Sequence, residues 1–259
     1  MSLFFKRHQT RFVYVALPNK GNIYPERIVP RDVFLENDVL HKSVMSSPQW
    51  HKHIKNTLEK GVEVINIENT YGSCKNQENL FSLGHHISPF GAKTAAKAIG
   101  DYLNKTTNRI VYDGKFKLDH EVFCLGTSDF YSPLLNRAKC DIYYANQNGV
   151  KECFSNHIIP KNSKIAIFGD CNLQAYSSIG GGIAANLSYY LNYPVYDAGR
   201  KLVFGFDESP ITREDLDFLC QFDIVIYVAF ASAPFVRSAK FDRKKIRLKY
   251  DWCHFSLED

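Results

Sequence analysis

No stretch of the chain approaches the roughly 18 consecutive apolar residues that a membrane-spanning helix requires. The longest apolar run, Ile224 to Ala231, is the length of one buried strand. A strong excess of one charge is missing too. Against 27 Asp and Glu stand 32 Lys and Arg, a net +5 spread along the chain, which gives no electrostatic footprint for nucleic acid. One local exception is Arg237 to Lys249, with Lys240, Arg243, Lys244, Lys245 and Arg247 inside it. It reads as a solvated surface segment, with an anionic ligand or membrane surface as the alternative that clustered cations allow. The seven cysteines are odd in number and contain no C-x-x-C pair, against both a disulfide framework and a zinc ribbon. Repeats and low-complexity tracts are absent as well.

The opening residues do not read as a secretory leader, because Phe4-Phe5 is followed at once by Lys6, Arg7 and His8. The expectation is a reducing, cytoplasmic setting, or a periplasmic or membrane-associated one if a targeting segment has been lost. At 259 residues the length fits one large domain or two small ones. With no convincing linker, a single domain over residues 1–259 is the simplest organisation, leaving room for an insertion around residues 106–163.

What is present alternates between two periodicities. Arg11 to Leu17 reads as a buried strand stopped by Pro18, and Val62 to Ile67 as a second. Pro48 to Lys60 reads as a helix ending at Gly61. The strongest helix spans Ser88 to Leu103: Ser88 can cap it, Pro89 suits the first turn, and Ala92, Ala95, Ala96, Ile99 and Leu103 share one face. Lys164 to Phe168 is a further strand, followed by a helix at Ile183 to Leu191 and a short strand at Pro194 to Tyr196. A helix capped by Thr212 and a strand from Asp223 to Phe230 close the pattern. Strands alternating with helices imply an α/β fold around a mainly parallel sheet.

Two places carry candidate chemistry. In the first, the strand at Ile165 to Phe168 runs into Gly169-Asp170-Cys171-Asn172, putting a nucleophile just past a strand's C-terminal end, where open α/β sheets bind ligands. Gly169 allows a sharp turn, and backbone N–H groups around Cys171 and Asn172 can hold an oxyanion. A cysteine needs a base or a positive environment to become a thiolate; otherwise Cys171 is a small buried hydrophobe. In the second, His85-His86 lies just before the capped helix, a loop position that suits a general base. Two ordinary surface histidines are the competing reading, and no Asp or Glu lies within four residues of the pair to complete a metal site.

His51 and His53, two apart on a helix, face different directions and are read as surface residues. Gly180-Gly181-Gly182 lacks a dinucleotide or Walker register and is read as easing the turn into the next helix. No cofactor or metal is expected.

The order of these features resembles the SGNH-hydrolase-like catalytic domains of the alginate O-acetylation proteins and their "DHHW" relatives. Val13 to Lys20 with Ile23-Tyr24-Pro25-Glu26 is similar to that family's opening strand and "P-x-K…Y-P-E" loop, and Gly61 to Ile67 to its next strand. Leu83 to Ala92 resembles the "D-x-H-W-[ST]-x-x-G" block, with His86 on the catalytic histidine. Gly169-Asp170-Cys171 resembles "G-D-S", with Cys171 on the nucleophile, and Ile179 to Tyr196 continues with the helix and strand expected behind it. The resemblance implies a three-layer α/β/α sandwich and acyl transfer to or from a carbohydrate. An acyl donor would be the co-substrate, and partner proteins would belong to a polysaccharide-modifying system.

Three departures matter. Gly84 stands at the block's acid, Ile87 at its tryptophan and Cys171 at the serine. A Cys–His pair tolerates the missing acid, because a thiol starts near pKa ~8.5; a decayed site fits the same substitutions. Asp119, Glu121 and Glu78 are candidates to orient His86 from elsewhere, and His85 could stand in through a carbonyl or water. The readings that follow are an O-acetyltransferase or esterase on a carbohydrate, an inert carbohydrate-binding or assembly protein, and a cysteine-dependent thioesterase.

Overall fold

The computed structural model describes residues 1–24, 47–77, 80–81, 86–107, 114–124, 139–147, 150–151, 163–174, 176, 181–200 and 212–230. The basic segment 237–249 lies outside them.

The β-rich runs assemble into one five-stranded sheet. Its strands are β1 (Arg11–Leu17), β2 (Glu63–Asn66), β6 (Ile165–Gly169), β7 (Val195–Asp197) and β8 (Ile224–Phe230), in the order β2-β1-β8-β6-β7. All four pairings are parallel. Such a sheet must be covered on both faces, which is why β6 is apolar and buried at every position.

One face is covered by α4 (Glu68–Cys74), α5 (Pro89–Thr106) and α7 (Ile183–Leu191). Ala92, Ala95, Ala96, Ile99 and Leu103 of α5, the stripe expected from sequence, all lie in the core there, with Val13, Val15, Ile165, Ile167, Ile226 and Val228 of the sheet. The small residues let helices approach closely: a Cβ on Gly100 would lie 2.7 Å from the Tyr190 Cβ. The opposite face is covered by α1 (Ser2–Arg7), α3 (Ser47–Glu59) and α8 (Arg213–Leu219). Phe5, Leu219 and Phe222 pack there on Ala166, Phe168 and Val225, and Trp50 and Ile54 on Tyr14, Ala16 and Ala229. The result is a three-layer α/β/α sandwich. A short helix α2 (Lys20–Ile23), boxed by Asn19 and Asn22, follows β1.

The region around residues 106–163, where the sequence leaves room for an insertion, contains a second sheet. β3 (Phe116–Cys124), β4 (Lys139–Gln147) and β5 (Val150–Lys151) are antiparallel, in that order. β4 packs on both α5 and α7. Asn192 fastens this sheet to the end of α7: in the left-handed conformation, it accepts from Phe116 N and donates to Gly114 O.

Strand order positions the site. The chain leaves β1 towards one edge of the sheet and β6 towards the other, with β8 filling the gap between them. Right-handed crossovers running in opposite directions place their helices on opposite faces, as α3 and α7 are. The strand order therefore reverses around β8, and the C-terminal ends of the strands at such a switch point are where these folds bind ligands.

Candidate active site

The Gly169 turn is set against β8. A Cβ on Gly169 would overlap the Val228 carbonyl oxygen, so only glycine fits, and the next amide, Asp170 N, donates to that same oxygen at 3.1 Å. Asp170 then folds the chain over. Its Oδ1 accepts from Asn172 N at 2.8 Å and its carbonyl from Leu173 N at 3.0 Å, starting the single turn α6 (Cys171–Gln174). Cys171 is thereby the first residue of that turn, just past the C-terminal end of β6. Its backbone is described and its side chain is not.

Asn172 behaves differently from the sequence-based expectation. Its N–H is engaged by Asp170 rather than presented to an oxyanion, and its side chain points inward, 1% exposed. Asn172 Oδ1 accepts from the backbone N–H of Ile87 at 3.0 Å. The residue following Cys171 is thus bonded to the residue following His86, across 85 positions of sequence.

The histidine block is built from the other side. Ile87 bridges antiparallel to Phe81, and Ser88 N donates to Leu80 O at 2.9 Å. Ser88 caps α5, accepting from Gly91 N at 3.0 Å, with Pro89 in the first turn. Gly91 is pressed on the Leu80 carbonyl, which a Cβ would overlap. Ile87, at the tryptophan position of the resembled block, is fully buried in the core. His86, immediately before it, is half-buried. His85 and Gly84 lie outside the described residues, as does Glu78. Asp119 is exposed on β3 and accepts from His120 N at 2.9 Å; Glu121 lies on the same strand.

Other expected features fall elsewhere. His53 is not a surface residue: half-buried, its Nε2 lies 3.2 Å from Tyr14 Oη on the sheet, and burial followed by the charge of Lys60 lowers its pKa. The alternation of α3 that separates His51 from His53 turns one to solvent and the other to the sheet. His51 is exposed and pairs at 2.9 Å with Glu68, whose same oxygen accepts from Trp50 Nε1 at 2.9 Å; nothing in the local sequence signals that three-residue cluster. Gly182 caps α7, and the Gly181 and Gly182 carbonyls accept from the buried Asn186, which fits the role of easing the helix start. Gly180 lies outside the described residues. Among the described residues, Cys74 and Cys220 are free thiols, no group of three or more His, Cys, Asp or Glu could hold a metal, and no helix is long and apolar enough to cross a membrane.

No protein-family model matches the chain, and no curated protein matches it in sequence. Its backbone, however, is similar to solved structures. The O-acetyltransferase domain of Pseudomonas putida AlgJ superimposes with a TM-score of 0.61 at 13% identity, over 95% of this chain and 83% of that one. Pseudomonas aeruginosa AlgX gives 0.55 at 17% identity, over 90% of this chain and 58% of that one. Bacillus cereus PatB1 gives 0.50 at 13% identity, over 90% and 86%. At such identities the likeness is one of fold: the chain has an α/β/α sandwich similar to that of the AlgJ O-acetyltransferase domain.

Proposed function

We propose that the chain is an acyl-transfer enzyme, an O-acetyltransferase or esterase acting on a carbohydrate, with Cys171 as nucleophile and His86 as base. The observation that carries this reading is the Asn172–Ile87 hydrogen bond. It joins the two sequence blocks that resemble the family's serine and histidine motifs, at the sheet edge where α/β folds do chemistry. The fold shared with an O-acetyltransferase domain supports it. The carbohydrate acceptor rests on the sequence resemblance to the alginate O-acetylation proteins.

In this reading His86 takes the Cys171 thiol proton and the thiolate adds to the acyl carbonyl of the donor. The new C–S bond is completed as the donor's leaving group departs with the proton held by His86. A sugar hydroxyl, or water, then attacks the thioester while His86 accepts its proton, and the thiol is restored. With Asn172 N held by Asp170, the oxyanion contact falls to the backbone N–H of Cys171. A missing acid at Gly84 is tolerable because a thiol ionises several pH units below an alcohol.

The deciding experiment is the pH dependence of Cys171 alkylation in the intact protein, compared with His86→Ala, alongside hydrolysis of p-nitrophenyl acetate. A thiol titrating well below ~8.5 that loses reactivity in the variant supports the proposal. A slow thiol indifferent to His86 overturns it and leaves an inert fold, for which glycan binding is the next assay.

A further inference from the structure

We infer that Asn172 is a positioning residue: its side-chain amide holds the histidine block in register over the nucleophile turn and so locates His86. The inference rests on the acyl-transfer reading above and adds a residue to it.

Asn172 is buried to 1% exposure, and its side chain sits at a fixed point of the turn because its own N–H is held by Asp170 Oδ1 at 2.8 Å. Its Oδ1 meets Ile87 N at 3.0 Å. Ile87 is itself immobilised, fully buried and bridged to Phe81, while Ser88 is anchored through Leu80 and Gly91. His86 therefore projects from a backbone fixed on its C-terminal side by a side chain of the nucleophile turn itself. Asn172 acts on the backbone that carries the imidazole, through the N–H of the next residue. An apolar residue at 172 would leave the Ile87 N–H buried without this acceptor.

The test reads residue-resolved amide exchange at Ile87 and Cys171 alkylation across pH, in Asn172, Asn172→Ala and Asn172→Asp proteins, each with and without His86→Ala. Asn172→Asp keeps an oxygen acceptor for Ile87. The expected result is a slow Ile87 amide in the native and Asn172→Asp proteins and exchange on the order of tenfold to hundredfold faster in Asn172→Ala. The His86-dependent part of Cys171 reactivity should fall about tenfold or more in Asn172→Ala and return in Asn172→Asp, its midpoint moved up by the added carboxylate. A merely structural asparagine would lower the melting temperature and leave the His86 dependence intact, and that outcome overturns the inference. Unchanged Ile87 protection in Asn172→Ala overturns it as well. Indifference of Cys171 to His86 in the otherwise native protein overturns the acyl-transfer reading and the positioning role together, and shows before any change at 172 is made. If Asn172→Ala does not fold, Asn172→Ser, whose hydroxyl is too short to span the contact, carries the same comparison.

Discussion

The phenolic hydroxyl of Tyr71 donates a 2.8 Å hydrogen bond to the carbonyl of Gly91, tying α4 to the first turn of the helix that His86 precedes. Both partners are buried. Removing the donor with Tyr71→Phe should cost about 1 kcal/mol near neutral pH, measured by urea unfolding. Burial also raises the ionisation of Tyr71 well above its usual value. A raised folded-state pKa gives stability that is complete below the unfolded value of ~10 and is lost as pH rises beyond it. Tyr71→Phe should accordingly soften the loss of stability above pH ~10; an alkaline profile parallel to that of the native protein would refute this.

His53 gives the opposite sign. Burial lowers its pKa in the fold, so the stability it contributes is present above the unfolded value of ~6.5 and lost as pH falls below it. Thermal unfolding between pH 7.5 and 5 should show a flatter profile in His53→Gln, which keeps a partner for Tyr14. An unchanged slope would place the acid sensitivity elsewhere.

Gly169 abuts the Val228 carbonyl, a backbone atom in the middle of a parallel sheet that has little room to move. Gly169→Ala should destabilise by roughly 1–3 kcal/mol, the range for overpacking, read by chemical denaturation. By the proposed function it should also slow Cys171 alkylation, since the turn that carries the nucleophile must shift.

Ser88 is the cap of α5, and Ser88→Ala should cost about 1 kcal/mol. Ser88→Asp, which can accept from Gly91 N in the same way, should restore most of it. Failure of Ser88→Asp to recover stability would mean that the hydroxyl serves a contact other than the cap.

Cys171→Ser tests the departure from the family's serine. By the proposed function, an alcohol at 171 gives up its proton far less readily than a thiol, so ester hydrolysis should fall on the order of a hundredfold or more. Equal activity of the serine and cysteine proteins would show that the reaction does not depend on the lower pKa of a thiol.

Much of the fold was legible along the chain. β1 spans the expected Arg11–Leu17 and α7 the expected Ile183–Leu191, and α5 begins behind the expected Ser88 cap, because caps, glycines and apolar periodicity are local signals. The antiparallel β3–β4–β5 sheet is not legible locally: Phe116, Leu118 and Val122 of β3 alternate with Lys117, Asp119 and Glu121, but its partner Lys139–Gln147 carries no such alternation, and the sheet is defined by its packing on α5 and α7. The burial of His53 is not legible in the local sequence because it depends on which sheet residue stands opposite, here Tyr14.

By itself, then, the sequence determined the parallel α/β layering and the two chemical blocks, His86 before a capped helix and Cys171 after a glycine turn. Each of these is specified within a dozen residues by turn chemistry, capping and hydrophobic period. Only the tertiary structure decided that the blocks are joined and how: Asn172 turns inward to Ile87 rather than outward to an oxyanion. A side-chain amide can face either way, and the choice is made by the Ile87 N–H that the fold brings against it from 85 residues away.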